Sequence, residues 1–215
     1  MATYDRFSTT FRKLSRKLLR TNTAAAVPAC RAERADAMKD PLLQTRRLEL
    51  RRFTEADIPE LVRLIGAREV AANTLRIPHP YTADDAREFL DGHRARPDFA
   101  FAIVLRIQRR LIGGIGLHPE TQHQRAELGY WVGVPYWGKG YATEAAQAVV
   151  RYGFDQLGLN RIFASHFRQN PASGKVLKKV GMRHEGRMRQ HVLKWGEFMD
   201  IELYSILREE VAGRK

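Results

Sequence analysis

The stretch of sequence best suited to chemistry is a glycine-bearing turn between an apolar strand and a helix. It covers residues 132–145, with Gly138 and Gly140 in the turn and the helix beginning at about Tyr141. Glycine lets the backbone approach a ligand closely, and the first N–H groups of a helix have no acceptor within it. Those N–H groups and the positive end of the helix dipole attract anions. The residues therefore indicate an anion site, although the same spacing also occurs in ordinary hairpins and loops.

Two nucleotide-binding motifs are disfavoured for this turn. It lacks the Gly-Lys-Ser/Thr ending of a P-loop, because Gly138-Lys139 is followed by Gly140, and it lacks the three-glycine dinucleotide fingerprint. A metal site is not indicated either. The seven histidines show no ligand spacing, and a chain with the single cysteine Cys30 does not favour a zinc site and cannot form an internal disulfide.

A sheet must position this turn, since short strands and helices alternate along the chain from Leu42 onward. Alternating apolar residues predict strands, and apolar residues three or four apart predict helices. Thr54 and Thr82 are predicted helix caps. The predicted strands cover residues 47–53, 99–105, 111–117, 126–132, 161–167, 183–190 and 198–207, and the predicted helices begin near 54, 82, 141 and 171. Three consecutive strands followed by strand-helix-strand crossovers predict a mixed α/β sheet.

The composition indicates a polyanionic partner. Of 215 residues, 37 are basic and 24 acidic, and the net charge of +13 suits RNA, an anionic membrane or a phosphorylated cofactor. No run of about 18 apolar residues is present, so no membrane span is predicted.

The first forty residues differ in character from the rest. They carry +5 of the net charge, and apolar residues from Phe7 to Leu18 recur at helical spacing among basic ones. We expect residues 1–40 to be a basic, flexible extension that is either an inert upstream segment or a helix for organelle targeting or surface binding. The domain is predicted at 41–210, and a short tail at 211–215.

The glycine-bearing turn resembles the pyrophosphate-binding motif of the GNAT superfamily of N-acetyltransferases, whose pattern is Gln/Arg-x-x-Gly-x-Gly/Ala. Here tryptophan occupies the first position, and with the surrounding residues this resembles the branch of ribosomal-protein N-terminal acetyltransferases (RimJ/RimL-like). The turn has the sequence Trp137-Gly138-Lys139-Gly140-Tyr141-Ala142, and further resemblance to that branch lies at 127–132, 170–173, 176–182, 183–186 and 200–205. The resemblance covers about residues 42–210.

The resemblance implies a GNAT fold, with a mixed, mostly antiparallel central sheet that is splayed at the cofactor site by a bulge and flanked by about four helices. It implies acetyl-CoA as the co-substrate and no metal. Backbone groups of Val132 and Val134 would pair with the pantetheine arm, Asn170 would bond that arm or its reacting end, and Lys175 would reach a phosphate. The pyrophosphate would be held by the amides of Trp137, Gly138, Lys139, Gly140, Tyr141, Ala142 and Thr143.

The implied reaction is attack of an amine on the acetyl thioester, so the ammonium must lose a proton and the thiolate must gain one. Glu127, at the edge of the splayed strand, is the candidate base, directly or through a water. The alternative is an ion pair of Glu127 with Arg125 or another cation. The resemblance places Ser173 near the thioester sulfur, where it would stabilise the thiolate, unless it only caps its helix. Many relatives use a tyrosine as the acid for the departing thiolate, and the matching position here is Leu177.

The resemblance places the acceptor groove between residues 68–81 and 187–197, both rich in Arg and His. That charge suits an acidic peptide, so a protein N-terminal α-amine is the preferred acceptor, and a small amine (polyamine, amino acid or antibiotic) is the alternative. A non-catalytic RNA-associated or CoA-binding module is a further alternative, although no known RNA-binding motif is present. We expect a cytoplasmic monomer or homodimer, with ribosome association as a further expectation and organelle targeting as the alternative location.

Overall fold

Eight strands form one sheet in the order β1-β2-β3-β4-β5-β6-β8-β7. The computed structural model describes residues 42–94 and 99–212, so the predicted extension at 1–40 and its amphipathic helix lie outside the described residues. The strands are β1 (Leu43–Gln44), β2 (Leu48–Arg51), β3 (Phe99–Leu105), β4 (Arg110–Glu120), β5 (Arg125–Val132), β6 (Arg161–Phe167), β7 (Arg183–Lys194) and β8 (Glu197–Leu207).

Six α-helices connect or follow the described strands. Four of them have eight residues or more, as predicted, whereas the two five-residue helices, α2 and α6, were not predicted. The helices are α1 (Ile58–Ile65), α2 (Arg68–Ala72), α3 (Ala83–Arg94), α4 (Tyr141–Asp155), α5 (Pro171–Val180) and α6 (Arg208–Ala212). The last helix continues past residue 210, and Val211 packs against the core. The domain therefore runs beyond its predicted end, into the segment expected to be a tail. None of the described helices has both the length and the apolar character to cross a membrane.

The two predicted threonine caps form. Asp57 accepts from the Thr54 N–H at 2.8 Å, and Asp85 accepts from the Thr82 N–H at 2.7 Å. The chain after Thr54 first makes one 3-10 turn, Glu55–Asp57, before α1 begins. The Thr54 cap therefore begins this 3-10 turn, three residues ahead of α1, whereas the Thr82 cap directly precedes α3.

The sheet buries an apolar layer on each face. In β3, Phe101, Ile103 and Leu105 pack into a first cluster with α4 and α5, whereas Ala102 and Val104 pack into a second cluster with α1 and α3. Successive side chains of a strand point to opposite faces, so one strand contributes to both layers.

The one parallel junction of the described sheet is between β5 and β6. Parallel neighbours need a long crossover, which α4 supplies, and every other adjacent pair is antiparallel. The prediction of a mixed, mostly antiparallel sheet is confirmed.

The two parallel strands part after three paired residues, ending at Glu127 and Phe163. Beyond that fork, β5 continues along β4 and β6 continues along β8. The register of β5 on β4 is uninterrupted, so the strands splay without the bulge that was expected in this pairing. Helices α4 and α5 each begin shortly after the carboxyl end of one of these strands, so both helix N-termini lie at the open end of the fork.

Candidate active site

The turn before α4 presents a row of free backbone amides. Gly138 and Gly140 have φ values of +73° and +81°, which glycine adopts without steric cost. Within the described residues, no acceptor pairs with the N–H groups of 138–143, and the first paired one is that of Glu144, which donates to the Gly140 carbonyl at 3.1 Å. Adjacent donors at the positive end of a helix are suited to a diphosphate.

Trp137 forms hydrogen bonds with the backbone of Val132 and Val134, which the family resemblance assigned to the pantetheine arm. Its amide donates to the Val134 carbonyl at 3.1 Å, and its indole Nε1 donates to the Val132 carbonyl at 2.5 Å. Gly133 donates to Ile112 of β4, so the backbone groups of Val132 face the other way, into the fork. The Trp137 amide is therefore not free for a phosphate, and Val132 and Val134 have their N–H groups but not their carbonyls available to a ligand.

Glu127 lies at the fork, as the last residue of β5 that pairs with β6. Its side chain is 34% exposed, and its carboxylate is 3.6 Å from the guanidinium of Arg76, which is itself 73% exposed. Arg125, the partner considered above, instead pairs with Glu120 at 2.7 Å. An exposed pair at 3.6 Å is weak, so the Glu127 carboxylate remains accessible to a proton donor.

The N-terminus of α5 is capped by Asn170 and not by Ser173. The Oδ1 of Asn170 accepts from the Ser173 N–H at 3.2 Å, so the Ser173 hydroxyl is not used as a cap. That hydroxyl lies 2.6 Å from the hydroxyl of Tyr130. Lys175 is exposed on the same helix, and Leu177 is fully buried in the core.

Tyr130 was missed by the sequence analysis. It lies on β5, and its hydroxyl reaches from the strand on one side of the fork to the helix that follows the other strand. Burial raises the pKa of Tyr130 to about 12, and the hydrogen bond with Ser173 offsets only part of that effect. At neutral pH the phenol is therefore protonated and able to donate.

Arg47 was also missed by the sequence analysis. It lies between β1 and β2 and binds the turn before α4. Its Nη1 donates to the Lys139 carbonyl at 3.0 Å and its Nε donates to Glu144 at 2.6 Å, while Thr45 Oγ1 donates to the same carboxylate at 2.6 Å. Burial disfavours the charged form of Glu144, but the hydrogen bonds from Thr45 and Arg47 outweigh it and lower the pKa of Glu144.

The two segments assigned to the acceptor groove come together. Lys194 of the β7–β8 hairpin is only 6% exposed, and its ammonium donates to the carbonyls of Leu75 at 3.4 Å and Ile77 at 3.2 Å. Burial lowers the pKa of Lys194. The hairpin is thereby fixed to the loop between α2 and α3.

Trp195, at the tip of this hairpin, is 49% exposed among basic groups. The guanidinium of Arg68 lies 5.8 Å from its ring centroid, the Lys194 ammonium 4.8 Å, and the ring of His79 5.9 Å. Together with Arg76 beside Glu127, these residues form what we call the cationic rim, in which Arg68, Arg76 and Lys194 carry the charges and His79 and Trp195 contribute rings.

The profile of the acetyltransferase (GNAT) domain family matches residues 47–183, more than half of the chain. The chain is a member of the GNAT acetyltransferase family. The uncharacterized N-acetyltransferase YoaA of Bacillus subtilis is 34% identical to it over 173 residues, which cover 78% of this chain and 97% of YoaA. The protein is thus an acetyl-CoA-dependent N-acetyltransferase, as predicted.

Two solved structures and a further relative by sequence are also similar to this chain. An acetyltransferase of the GNAT family from Bacillus anthracis has a TM-score of 0.72 at 30% identity, covering 79% of this chain and 99% of that chain. YdaF of Bacillus subtilis, which carries the provisional name of ribosomal N-acetyltransferase, is 33% identical over 141 residues, or 64% of this chain and 77% of YdaF. A spermidine N-acetyltransferase from Vibrio cholerae, solved with CoA and spermine, has a TM-score of 0.69 at 22% identity over 78% of this chain and 99% of its own, and shows the shared fold alone.

The acetyltransferase offers groups that fit CoA around the free amides. An open depression of about 410 Å³ adjoins the turn, and its lining includes two cations suited to phosphate oxygens, Arg46 and Lys179. The lining residues are Arg46, Arg47, Gly140, Thr143, Glu144, Gln147 and Lys179. Within the described ranges, no three His, Cys, Asp or Glu side chains group as a metal ion would require.

Sequence signals for the two missed residues exist but are indirect. Tyr130 lies in the strand segment that resembles the family, yet its partner Ser173 is 43 residues away. Arg47 is the first residue of the first predicted strand, and its contacts with the turn span 92 and 97 residues. Neither contact is visible in local spacing.

The Gly140→Ala acetyltransferase is expected to bind CoA about tenfold more weakly, measured by calorimetric titration, because alanine at positive φ costs about 1–2 kcal/mol and shifts the turn. The matched control is Gly158→Ala, since Gly158 also has a positive φ of +69° but lies beyond the end of α4. It should lose a similar amount of stability and keep its CoA affinity. Equal losses of affinity in both variants would contradict the placement of CoA at this turn.

Proposed function

We propose that the protein transfers the acetyl group of acetyl-CoA to the N-terminal α-amine of an acidic protein segment. The observation that carries this proposal is the cationic rim, whose exposed charges are Arg76 beside Glu127 and Arg68 beside Trp195. A polyamine carries several positive charges and is repelled by such a rim, whereas carboxylates that follow an N-terminus are attracted to it. The provisional name of YdaF agrees with a ribosomal protein as the acceptor.

Glu127 is the proposed general base. An α-amine has a pKa of about 8 and a lysine amine one of about 10.4, so an N-terminus releases its proton more readily near neutral pH. The weak pair of Glu127 with Arg76 opens at little cost, and an acceptor carboxylate provides Arg76 with another partner. Glu127 then removes the proton from the ammonium, directly or through a water.

Ser173 is proposed to stabilise the departing thiolate through a hydrogen bond, and the proton that the amine releases balances the one that the thiolate takes up. Acetyl-CoA supplies an acetyl thioester, whose C–S bond breaks as the new C–N bond forms. The Tyr130 hydroxyl lies 2.6 Å from Ser173 Oγ and 3.3 Å from the Ser173 carbonyl, which can only accept. With the phenol donating toward Ser173, the hydroxyl hydrogen of Ser173 is free to point into the fork.

The remaining cofactor contacts are proposed from the placement of the CoA diphosphate at the turn before α4 and of the thioester in the fork. The amides of 138–143 bind the diphosphate, the N–H groups of Val132 and Val134 contact the pantetheine arm, and Asn170 and Lys175 lie beside it. A cytoplasmic location, association with the ribosome and a monomeric or homodimeric state are proposed with the acceptor class.

The acceptor class is tested by steady-state kinetics of CoA release with three amines: an acidic hexapeptide with a free N-terminus, its N-terminally blocked form, and spermidine. The free acidic peptide should have a kcat/KM at least about tenfold above that of spermidine, and Arg68→Glu should reduce its advantage by about tenfold. Arg151 is exposed on α4, away from the rim. Arg151→Glu makes the same charge change there and should leave the preference intact. Preference for spermidine would refute the proposal.

Replacement of the base, Glu127→Gln, should lower kcat by about 10²-fold to 10⁴-fold, because an amide cannot accept the proton. CoA affinity in the same variant should be unchanged. Glu120→Gln is the control, since that carboxylate pairs with Arg125 on the adjacent strand. Full turnover in Glu127→Gln would remove Glu127 from the mechanism.

The role of Ser173 and Tyr130 at the sulfur is tested by non-additivity. Ser173→Ala should reduce kcat by about 10²-fold, Tyr130→Phe by about tenfold, and the double variant no more than Ser173→Ala alone, because Tyr130 acts through Ser173. Tyr152→Phe is the matched control, since its buried hydroxyl has no hydrogen-bond partner in the described part of the chain. Additive losses would show that the two hydroxyls act independently.

A further inference from the structure

We propose that Arg47 is a positioning residue for CoA binding: it holds the turn at 139–144 so that the free amides face the phosphates. The proposal concerns the cofactor side of the site. It stands independently of the acceptor, because CoA binding can be measured without one.

Arg47 holds the turn at three points within six residues. Its Nη1 donates to the Lys139 carbonyl at 3.0 Å, its Nε donates to Glu144 Oε2 at 2.6 Å, and its guanidinium carbon lies 4.6 Å from the centroid of the Tyr141 ring. Its main-chain N–H also donates to Glu144 Oε1 at 2.8 Å. The carbonyl of Lys139 is drawn toward Arg47, and the neighbouring N–H groups are left without protein acceptors.

The same contacts pair the carboxylate of Glu144, which would otherwise repel an anion bound at this turn. Glu144 lies in the first turn of α4, where a negative charge favours the helix but repels a diphosphate. Both of its oxygens are occupied, one by Thr45 and the Arg47 amide and the other by the Arg47 side chain. Without Arg47, the Glu144 carboxylate would keep its charge with fewer donors and compete with phosphate for the same amides.

The residues that present Arg47 are themselves fixed. Thr45 and Leu48 exchange backbone and side-chain hydrogen bonds at 2.9 Å across the turn between β1 and β2. Arg106 donates to the Thr45 carbonyl at 2.9 Å from the other side. The Arg47 side chain therefore reaches the cofactor turn from a preorganised position, which reduces the entropy lost on binding.

A direct contact of Arg47 with phosphate predicts different behaviour from positioning. Lysine would retain most of a direct charge contact, whereas its ammonium cannot replace the planar guanidinium that bridges a carbonyl and a carboxylate. The identity of the substituted residue therefore separates the two roles.

The experiment is calorimetric titration of CoA into the full chain and its variants. Arg47→Gln should raise the Kd for CoA about tenfold, Arg47→Lys nearly as much, and the Arg47→Gln/Glu144→Gln double variant should recover a large part of the loss, because the uncompensated carboxylate is gone. At saturating acetyl-CoA, kcat of Arg47→Gln should stay close to that of the parent while KM for acetyl-CoA rises.

Two controls separate positioning from general damage to the fold. Pantetheine lacks the diphosphate, so its affinity, followed by ligand-observed NMR, should not change in Arg47→Gln. Arg106→Gln loosens the same β1–β2 turn without touching 139–144, and its CoA affinity should match that of the parent. The proposal is overturned if Arg47→Gln binds CoA normally, if Arg47→Lys restores binding, if pantetheine and CoA weaken equally, or if Arg106→Gln causes the same loss.

Discussion

The early parting of β5 and β6 is the constraint on which the site depends. Each strand is held by a long antiparallel ladder on its outer side, β5 by β4 and β6 by β8, and the two share only three paired residues. Backbone groups beyond Glu127 therefore lack a strand partner on the fork side. An extended ligand arm can supply the missing partner, and both helix N-termini lie where its charged or reactive ends would arrive.

The groups proposed to bind CoA and those proposed to bind the acceptor lie on opposite faces of the sheet. Helices α4 and α5 cover one face and present the free amides and the Tyr130–Ser173 pair, whereas α1 and α3 cover the other, where Glu127 meets the cationic rim. The fork is an opening between these two faces. In the proposed reaction, acetyl-CoA and the acceptor would therefore approach from opposite sides and meet near Glu127, with no need for either to leave first.

Local chemistry made much of this predictable from sequence. The strands at 99–105 and 161–167 have the predicted bounds, and the helix at 171–180 has the predicted start, because apolar periodicity and helix-start signals are local properties. The turn at Gly138 and Gly140 was identified because positive φ requires glycine in sequence. The sequence analysis did not predict the roles of Tyr130 and Arg47, because each depends on a contact with a residue distant in sequence. It also missed the occupied carbonyls of Val132 and Val134, which bond with Trp137, a tryptophan where the family pattern has another residue.

Trp137 has a consequence of a different kind. Its indole is 44% exposed and bonded to the strand that borders the fork, while Trp195 is exposed at the rim and Trp131 packs with α1 and α3. Indole emission responds to changes in polarity and hydrogen bonding. The molecule thus carries one natural fluorophore at the entrance proposed for each substrate and a third in the packed layer. Single tryptophan-to-phenylalanine replacements would therefore give separate optical signals for the arrival of each substrate.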